Sequence, residues 1–595
     1  MLREGRAAWP SLFVFGAALL LLAASLLAGE TYRWVAIVLL VLACAPWRAL
    51  PANALSAVTA LFCAWLLGDA LFVTPAYSAE SVYRPVILFA AFAALASLER
   101  EAVARLFRIG VGLVAVLVLL GLLQHFLGIL RLSHNGLRAA ATFITPNSFA
   151  SAINLFLLPL AAIYLGGNRS MRVYWMALWL FAGLVATQSR GGMLALFAGL
   201  LFIAICIGWP GLRQAAKPVA RLLLGGGAVW ILMLVAARLM VPLVYGPTSQ
   251  APSLDTWVAR DTWDRADIYA TTFRLILGHP FAGAGANMFW PLFEPIKPEI
   301  FGEKPFTFAH SDYLQIWLEY GAMGLALFVA LGAAALAKAR SASRRARADL
   351  LPMACGAALA SCFAHAVVDF PFYVPFILLV AGGYLGALAS GVGDSPGSGA
   401  WRRAMTKAGQ FIAPRARWLL VLGALAWLSQ PALAQIATGH AVEVLAQGSI
   451  DRGIYWQSVA RRLEPRNATH YWTEAVIWRE LALVSEDKAH GAKADALLAE
   501  GIRVNPPYEF TILLERARMH RRYPRILEHP ASPAEILSWA QRAVASVPLS
   551  LVGQVELAYA LDYAGRRDDA ARVARTLLER RPDSPAARSL VEELR

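Results

Sequence analysis

Arginine, histidine and aspartate recur at the ends of apolar segments in this chain. The densest set lies in one polar interruption, Leu254 to Tyr320, which holds Arg260, Asp261, Asp264, Arg265, His279, His310 and Asp312. Arginine offers a planar fork of donors that matches phosphate oxygens, and it keeps its charge at any accessible pH. Histidine takes and returns a proton near neutrality. Two or three arginines beside a histidine at a membrane surface are the parts needed to bind a lipid diphosphate and activate a hydroxyl nucleophile. The carboxylates on that face form no Asp-x-Asp pair and no His/Cys set, so the spacing predicts no metal and leaves charge neutralisation to the arginines.

Each candidate also has a plainer reading. Arg190 closes an apolar segment before Gly191 and Gly192, which permit a tight turn and close backbone approach, yet an arginine there can simply snorkel to headgroups. Arg265 lies in DTWDRADIY, where a local ion pair with Asp261 or Asp264 is the alternative. His310 precedes an apolar segment that opens Ser311, Asp312, Tyr313, so it is either a base or a residue at a helix start. His365 and Asp369 are four apart and can satisfy one another on a helix face. GHPFAGAGANMF has no strand-to-helix context and is rejected as a nucleotide loop.

What must position these residues is a membrane scaffold. Of the 595 residues 58% are hydrophobic and 16% charged, and the mean hydropathy of +0.54 excludes a water-soluble globular protein of this size. The chain reads as an all-α polytopic membrane protein with spans near 11–28, 34–47, 53–70, 84–98, 106–129, 149–166, 172–187, 192–209, 219–243, 313–337, 351–368, 371–390 and 416–433. The first of these, preceded by Arg3 and Arg6, is expected to be retained rather than cleaved. All five cysteines lie inside apolar runs and suggest neither metal nor disulfide. The net charge of +15 suits anionic lipid and names no partner; nucleic acid is not expected.

With the N-terminus cytoplasmic, the inner loops carry Arg48; Arg100, Arg105 and Arg108; Arg169 and Arg172; Arg213 and Lys217; Lys338 to Arg347; and Arg402 to Arg417. The outer connections hold only scattered cations such as Arg33, Arg84, Arg131 and Arg138. That bias places the long loop outside. The same alternation brings Arg138 with Thr145-Pro146-Asn147, the turn Gln188 to Gly192, and the corner His365 to Asp369 to that face. Polar residues from distant segments thus converge on one surface, as a shared site requires.

The expected domains are a transmembrane domain over 1–391 with its large outer loop at about 244–312, a linker and last span over 392–435, and a helical domain over 436–595. The last is placed outside if 416–433 spans and inside if that run is interfacial. In the tail, Ala558, Ala570, Gly565 and Pro582 fit a tetratricopeptide helix pair, and Gly448 to Pro465 repeats the Gly565 to Pro582 spacing. Such units stack into a surface for partner proteins.

Taken together, TFITPNSFA at 142–150, QSRGGMLAL at 188–196, DRADIYATTFRLILGHPFAGAGANMF in the loop, FAHSDYLQIWLEYG at 308–321 and HAVVDFPFYVPF at 365–376 resemble the O-antigen ligase and O-antigen polymerase superfamily over roughly 80–390. The resemblance implies an inner-membrane glycosyltransferase with its active site facing the periplasm. Such an enzyme moves a glycan from undecaprenyl diphosphate to an acceptor hydroxyl, with inversion and with no metal or other cofactor. By position, Arg190 and Arg265 would hold the donor diphosphate and His310 would orient or deprotonate the acceptor. Arg138, Asn147, Arg260, Asp312, Tyr313 and Asp369 complete the candidate substrate-binding set. The acceptor stays open among lipid A core, a growing polysaccharide and a protein, the last making it a protein O-oligosaccharyltransferase. Two other classes are a lipid-linked saccharide transporter or flippase, and a scaffold recruiting partners through the tail. Charges at segment ends, with Gln124 and His125 the main interior interruption, favour surface chemistry over transport.

Overall fold

A computed structural model describes residues 50–129 other than 52 and 77, 138–245, 262–346, 348–390 and 414–594. The expected spans at 11–28 and 34–47 lie outside the described residues, as do Arg260 and Asp261. Among the described residues the protein is all helical, with no strand. Every expected span from 53 onward coincides with a helix: α1 Ala54–Gly68, α2 Ala79–Ala96, α3 Arg100–Leu127, α4 Pro146–Leu165, α5 Met171–Thr187, α6 Arg190–Gln214, α7 Ala216–Tyr245, α10 Asp312–Arg345, α11 Leu351–His365, α12 Pro375–Ala389 and α13 Pro414–Ala446. Between α7 and α10 lie α8 Thr262–Gly278 and the short α9 Phe289–Phe293. Seven of the described helices are long and apolar enough to cross a membrane, the run from α1 through Val73 among them, while α5, α11 and α12 are shorter apolar helices.

The chain forms two compact units. One comprises Met1–Gly68, Glu80–Ile268 and Ala309–Leu428; the other comprises Asp69–Ala79, Tyr269–Phe308 and Ser429–Arg595. Most of the large loop, Tyr269–Phe308, thus falls in the same compact unit as the tail.

In the membrane unit α4 is the central helix, with 89% of its apolar window buried, whereas α7 is peripheral at 17%. The turns are written in local chemistry. Thr145 caps α4 by accepting from Ser148 N at 3.1 Å, with Pro146 at the first helical position. Gln188, left-handed at φ 52, ends α5, and Ser189 caps α6 through Gly192 N at 3.0 Å. The α10 helix starts on Ser311, whose hydroxyl accepts from Leu314 N at 3.5 Å, and kinks at Gly321, φ 69.

One cation stands elsewhere than expected. Arg84 is no outer-loop residue but lies inside α2, which begins five residues before the apolar run suggested. Glu80, one turn earlier, pairs with it at 2.9 Å, and its guanidinium lies 4.4 Å over the Tyr373 ring, so a charge is tolerated within the bundle.

In the second unit, eight helices follow α13: α14 Ile450–Leu463, α15 Ala468–Ser485, α16 Lys488–Val504, α17 Phe510–Arg522, α18 Pro533–Ser546, α19 Leu551–Tyr563, α20 Arg567–Arg580 and α21 Pro585–Glu593. Each packs on the next through small buried residues, among them Ala517, Ala540, Ala558, Ala570 and Ala574. The Tyr269–Phe308 stretch, here the strap, has a small core of its own. Phe289 and Phe293 stack at 5.0 Å, Phe301 and Phe306 meet at 4.8 Å, and a buried Glu294–Lys297 pair closes at 2.6 Å.

Candidate active site

The site is built where the start of α10 meets the turn after α11. Asp312, fully enclosed, donates its backbone N–H to Ala366 O at 2.9 Å and Asp369 O at 3.1 Å, while its Oδ2 accepts from Phe372 N at 2.9 Å. It staples the 366–372 corner to α10. Immediately before it, His310 has φ 53, a left-handed conformation that a residue other than glycine holds only when its surroundings impose it. A buried network does so: Ala309 N donates to Gln315 Oε1 at 2.9 Å, Gln315 Nε2 to Glu319 Oε1 at 3.1 Å, and Tyr373 OH to Glu319 Oε2 at 2.8 Å.

Held this way, His310 Nδ1 stands 3.7 Å from Asp369 Oδ1. The other carboxylate oxygen, Oδ2, lies 3.9 Å from His365 Nε2, and His365 Nδ1 is 2.6 Å from Ser151 Oγ on α4. One carboxylate thus sits between two imidazoles. His310 keeps 29% of its side chain exposed and His365 only 1%, so His310 alone of the pair can reach a substrate. Burial pushes the Asp369 carboxyl up, but the nearby His310 and the positive fields of His365 and Arg265 outweigh it and hold the group below its usual range. Arg265, in the first turns of α8, donates Nη1 to Val368 O at 2.7 Å and so lies on the same corner.

The turn between α5 and α6 approaches from the other side. A Cβ on Gly191 would come within 2.7 Å of His365 Nε2, so only glycine lets α6 start against that ring. Arg190, half-buried, is the neighbouring residue and the first of α6, where helix N–H groups favour an anion. Next to this turn, Arg138 donates Nε to Thr187 O at 2.9 Å and Nη2 to Asn147 Oδ1 at 2.8 Å, tying the end of α5 to the start of α4.

Arg265, His310, Asp312 and Asp369 therefore share one corner, Arg190 adjoins it through Gly191, and Arg138 with Asn147 braces the turn that carries Arg190. Tyr313 points elsewhere: its hydroxyl donates to Phe363 O at 3.2 Å and its ring meets Phe328 at 5.1 Å, within the α10 and α11 packing. The side chain of Asp264, an alternative partner for Arg265, is outside the described residues. Reading the sequence missed Ser151 and Gln315. Each is a polar residue in an apolar helix, and the only available signal was that such a residue needs a buried partner.

The architecture is that of a polytopic helical membrane protein. Residues 175–329 match a family model described as O-Antigen ligase. The matched stretch runs from α5 into α10 and contains Arg190, Arg265 and His310; Arg138, Asn147 and Asp369 flank it. Comparison with curated proteins returned no match.

Proposed function

We propose that the protein transfers a glycan from an undecaprenyl diphosphate-linked donor to an acceptor hydroxyl at the periplasmic face of the bacterial inner membrane. The observation that carries this reading is the single carboxylate set between two imidazoles, with Arg265 on the same corner, in a chain whose residues 175–329 match an O-Antigen ligase family model. Asp369 orients the His310 ring and stabilises its protonated form, as a carboxylate does for a histidine base. His310 takes the proton of the acceptor hydroxyl as that oxygen attacks the anomeric carbon from the face opposite the lipid diphosphate. The bond between that carbon and the diphosphate oxygen breaks, the configuration inverts, and the electron pair leaves on the diphosphate. Arg190 and Arg265 receive that growing charge. Lipid A core, a growing polysaccharide and a protein remain the acceptors consistent with this chemistry, and the family match favours a glycan acceptor.

The test is transfer in vitro from a purified undecaprenyl diphosphate glycan, with EDTA present, by wild type and by Arg190→Ala, Arg265→Ala and His310→Ala. We expect wild-type turnover to persist in EDTA and each variant to lose at least about a hundredfold in rate. Wild-type rates in all three variants would refute the site, and a requirement for added Mg²⁺ would refute the metal-free chemistry.

A further inference from the structure

The strap has two sets of partners outside its own small core. At its tip, three positive-φ residues at alternate positions, Gly283, Gly285 and Asn287, turn the chain sharply. There Ala286 N donates to Asp69 Oδ2 at 2.6 Å and Ala286 O accepts from Thr74 Oγ1 at 2.7 Å, both in the short segment that follows α1. A Cβ on Gly285 would stand 2.8 Å from Thr74 Oγ1, which explains the glycine. The remaining partners come from the C-terminal helices. Asn287 Nδ2 donates to the Tyr508 hydroxyl at 2.7 Å, and that hydroxyl donates to Asn287 O at 2.9 Å. The Tyr508 ring stacks on Trp290 at 5.2 Å and 13°. Further along, Glu299 pairs with Arg580 at 2.8 Å, and Glu303 pairs with Arg581 at 2.9 Å while accepting from Leu551 N.

The two ends of the strap run straight into the proposed chemistry. Its first residue, Tyr269, follows Arg265 by four positions, and its last, Phe308, precedes His310 by two. A chain segment fixed along its middle has far fewer conformations open to its ends, and small displacements of a reacting group cost rate steeply.

We infer that the C-terminal helical domain acts as a clamp on the strap, with Tyr508 as its main positioning residue, and that the clamp sets the working geometry of Arg265 and His310. This rests on the transferase reading for its catalytic consequence, but the clamp itself has a readout of its own. Tyr508 acts through Asn287 and Trp290. The tail thereby gains a role within the enzyme, and not only as a surface for partner proteins.

The experiment uses the full-length protein in lipid vesicles. Tyr508→Ala removes both the hydrogen bonds and the stack, Tyr508→Phe keeps the stack, and Asn287→Gly keeps the positive φ while removing the side-chain donor. Val484→Ser, at a tail position that is 81% exposed, is the control. Two quantities are read: the rate of proteolytic cleavage within 279–308, and kcat and KM for transfer. We expect Tyr508→Ala to expose the strap to protease and lower kcat roughly tenfold with a smaller change in donor KM. Tyr508→Phe and Asn287→Gly should fall between it and wild type, and Val484→Ser should match wild type. A strap in Tyr508→Ala as protected as in wild type overturns the clamp, as does a released strap with unchanged kcat. If wild type gives no transfer at all, the transferase reading fails, while strap protection in the variants still decides the clamp. Should Tyr508→Ala fail to fold, the same two outcomes are read from Tyr508→Phe and Asn287→Gly.

Discussion

Two His–Asp pairs in this protein use the same residue types to opposite ends. In the tail, His520 Nε2 lies 2.9 Å from Asp495 Oδ1, its Nδ1 accepts from Ala531 N at 2.9 Å, and Arg516 forks onto the same carboxylate at 2.7 and 3.0 Å. Every polar atom of that imidazole is committed at full hydrogen-bond strength. At the α10–α11 corner, Asp369 meets its two imidazoles at 3.7 and 3.9 Å, and Oδ2 and His365 Nε2 have no hydrogen-bond partner among the described residues. A buried polar atom left short of a partner carries a free-energy cost of order 1–3 kcal/mol. The tail pair is closed on itself, whereas the corner pair keeps one imidazole, His310, 29% exposed.

The largest effect that could break this contrast is at Asp369. Asp369→Asn keeps the shape and removes the charge that orients His310, so transfer should drop roughly hundredfold while strap protection and tail stability stay as in wild type. An Asp369→Asn enzyme working at the wild-type rate would make the corner another structural pair.

The tail pair should behave in the reverse way. Burial pushes the Asp495 carboxyl up, but the hydrogen bonds from His520 and Arg516 and the positive fields of both win, holding it down to about 2. Because the folded value lies below the ordinary one of 3.8, the pair's stabilisation is complete above about pH 4 and is lost as pH falls toward 2. Asp495→Asn should therefore cost about 2 kcal/mol at neutral pH, seen as faster hydrogen exchange in α16 and α17, and should flatten the acid dependence of that exchange. Transfer by the folded fraction should not change. Acid dependence as steep as in wild type would show that other groups hold this part of the tail.

The smallest effect is expected at Tyr313, whose hydroxyl is occupied by Phe363 O. Tyr313→Phe should cost no more than about 1 kcal/mol of stability and leave both KM values unchanged. A rise in either KM would put its hydroxyl on a substrate and move the boundary between packing and chemistry.

The scaffold was legible because span after span is an apolar run of membrane length, and because the punctuation is local: Thr145-Pro146, Gln188-Ser189 and Ser311 end and start helices by their own hydrogen bonds. Arg190, Arg265, His310 and Asp369 could be singled out for the same reason, since a charge at the edge of an apolar run is conspicuous. Ser151 was not, because a serine in an apolar helix is unremarkable until a histidine 214 residues away is found against it. The glycines of the loop motif GHPFAGAGANMF serve a turn and a close approach to Thr74 that no local pattern announces. Arg84 misled because its neutralising partners, Glu80 and the Tyr373 ring, lie within the bundle.

The strap's anchors also impose an order of events on biosynthesis. Asn287 waits for a tyrosine made 221 residues later, and Glu303 for an arginine made 278 residues later. Those contacts cannot close until the last helices have left the ribosome and reached the side of the bilayer where the strap lies. A nascent chain thus carries Arg265 and His310 long before Tyr508 can fasten the segment between them, and a polypeptide ending ahead of Tyr508 would keep only the Asp69 and Thr74 bonds to that segment.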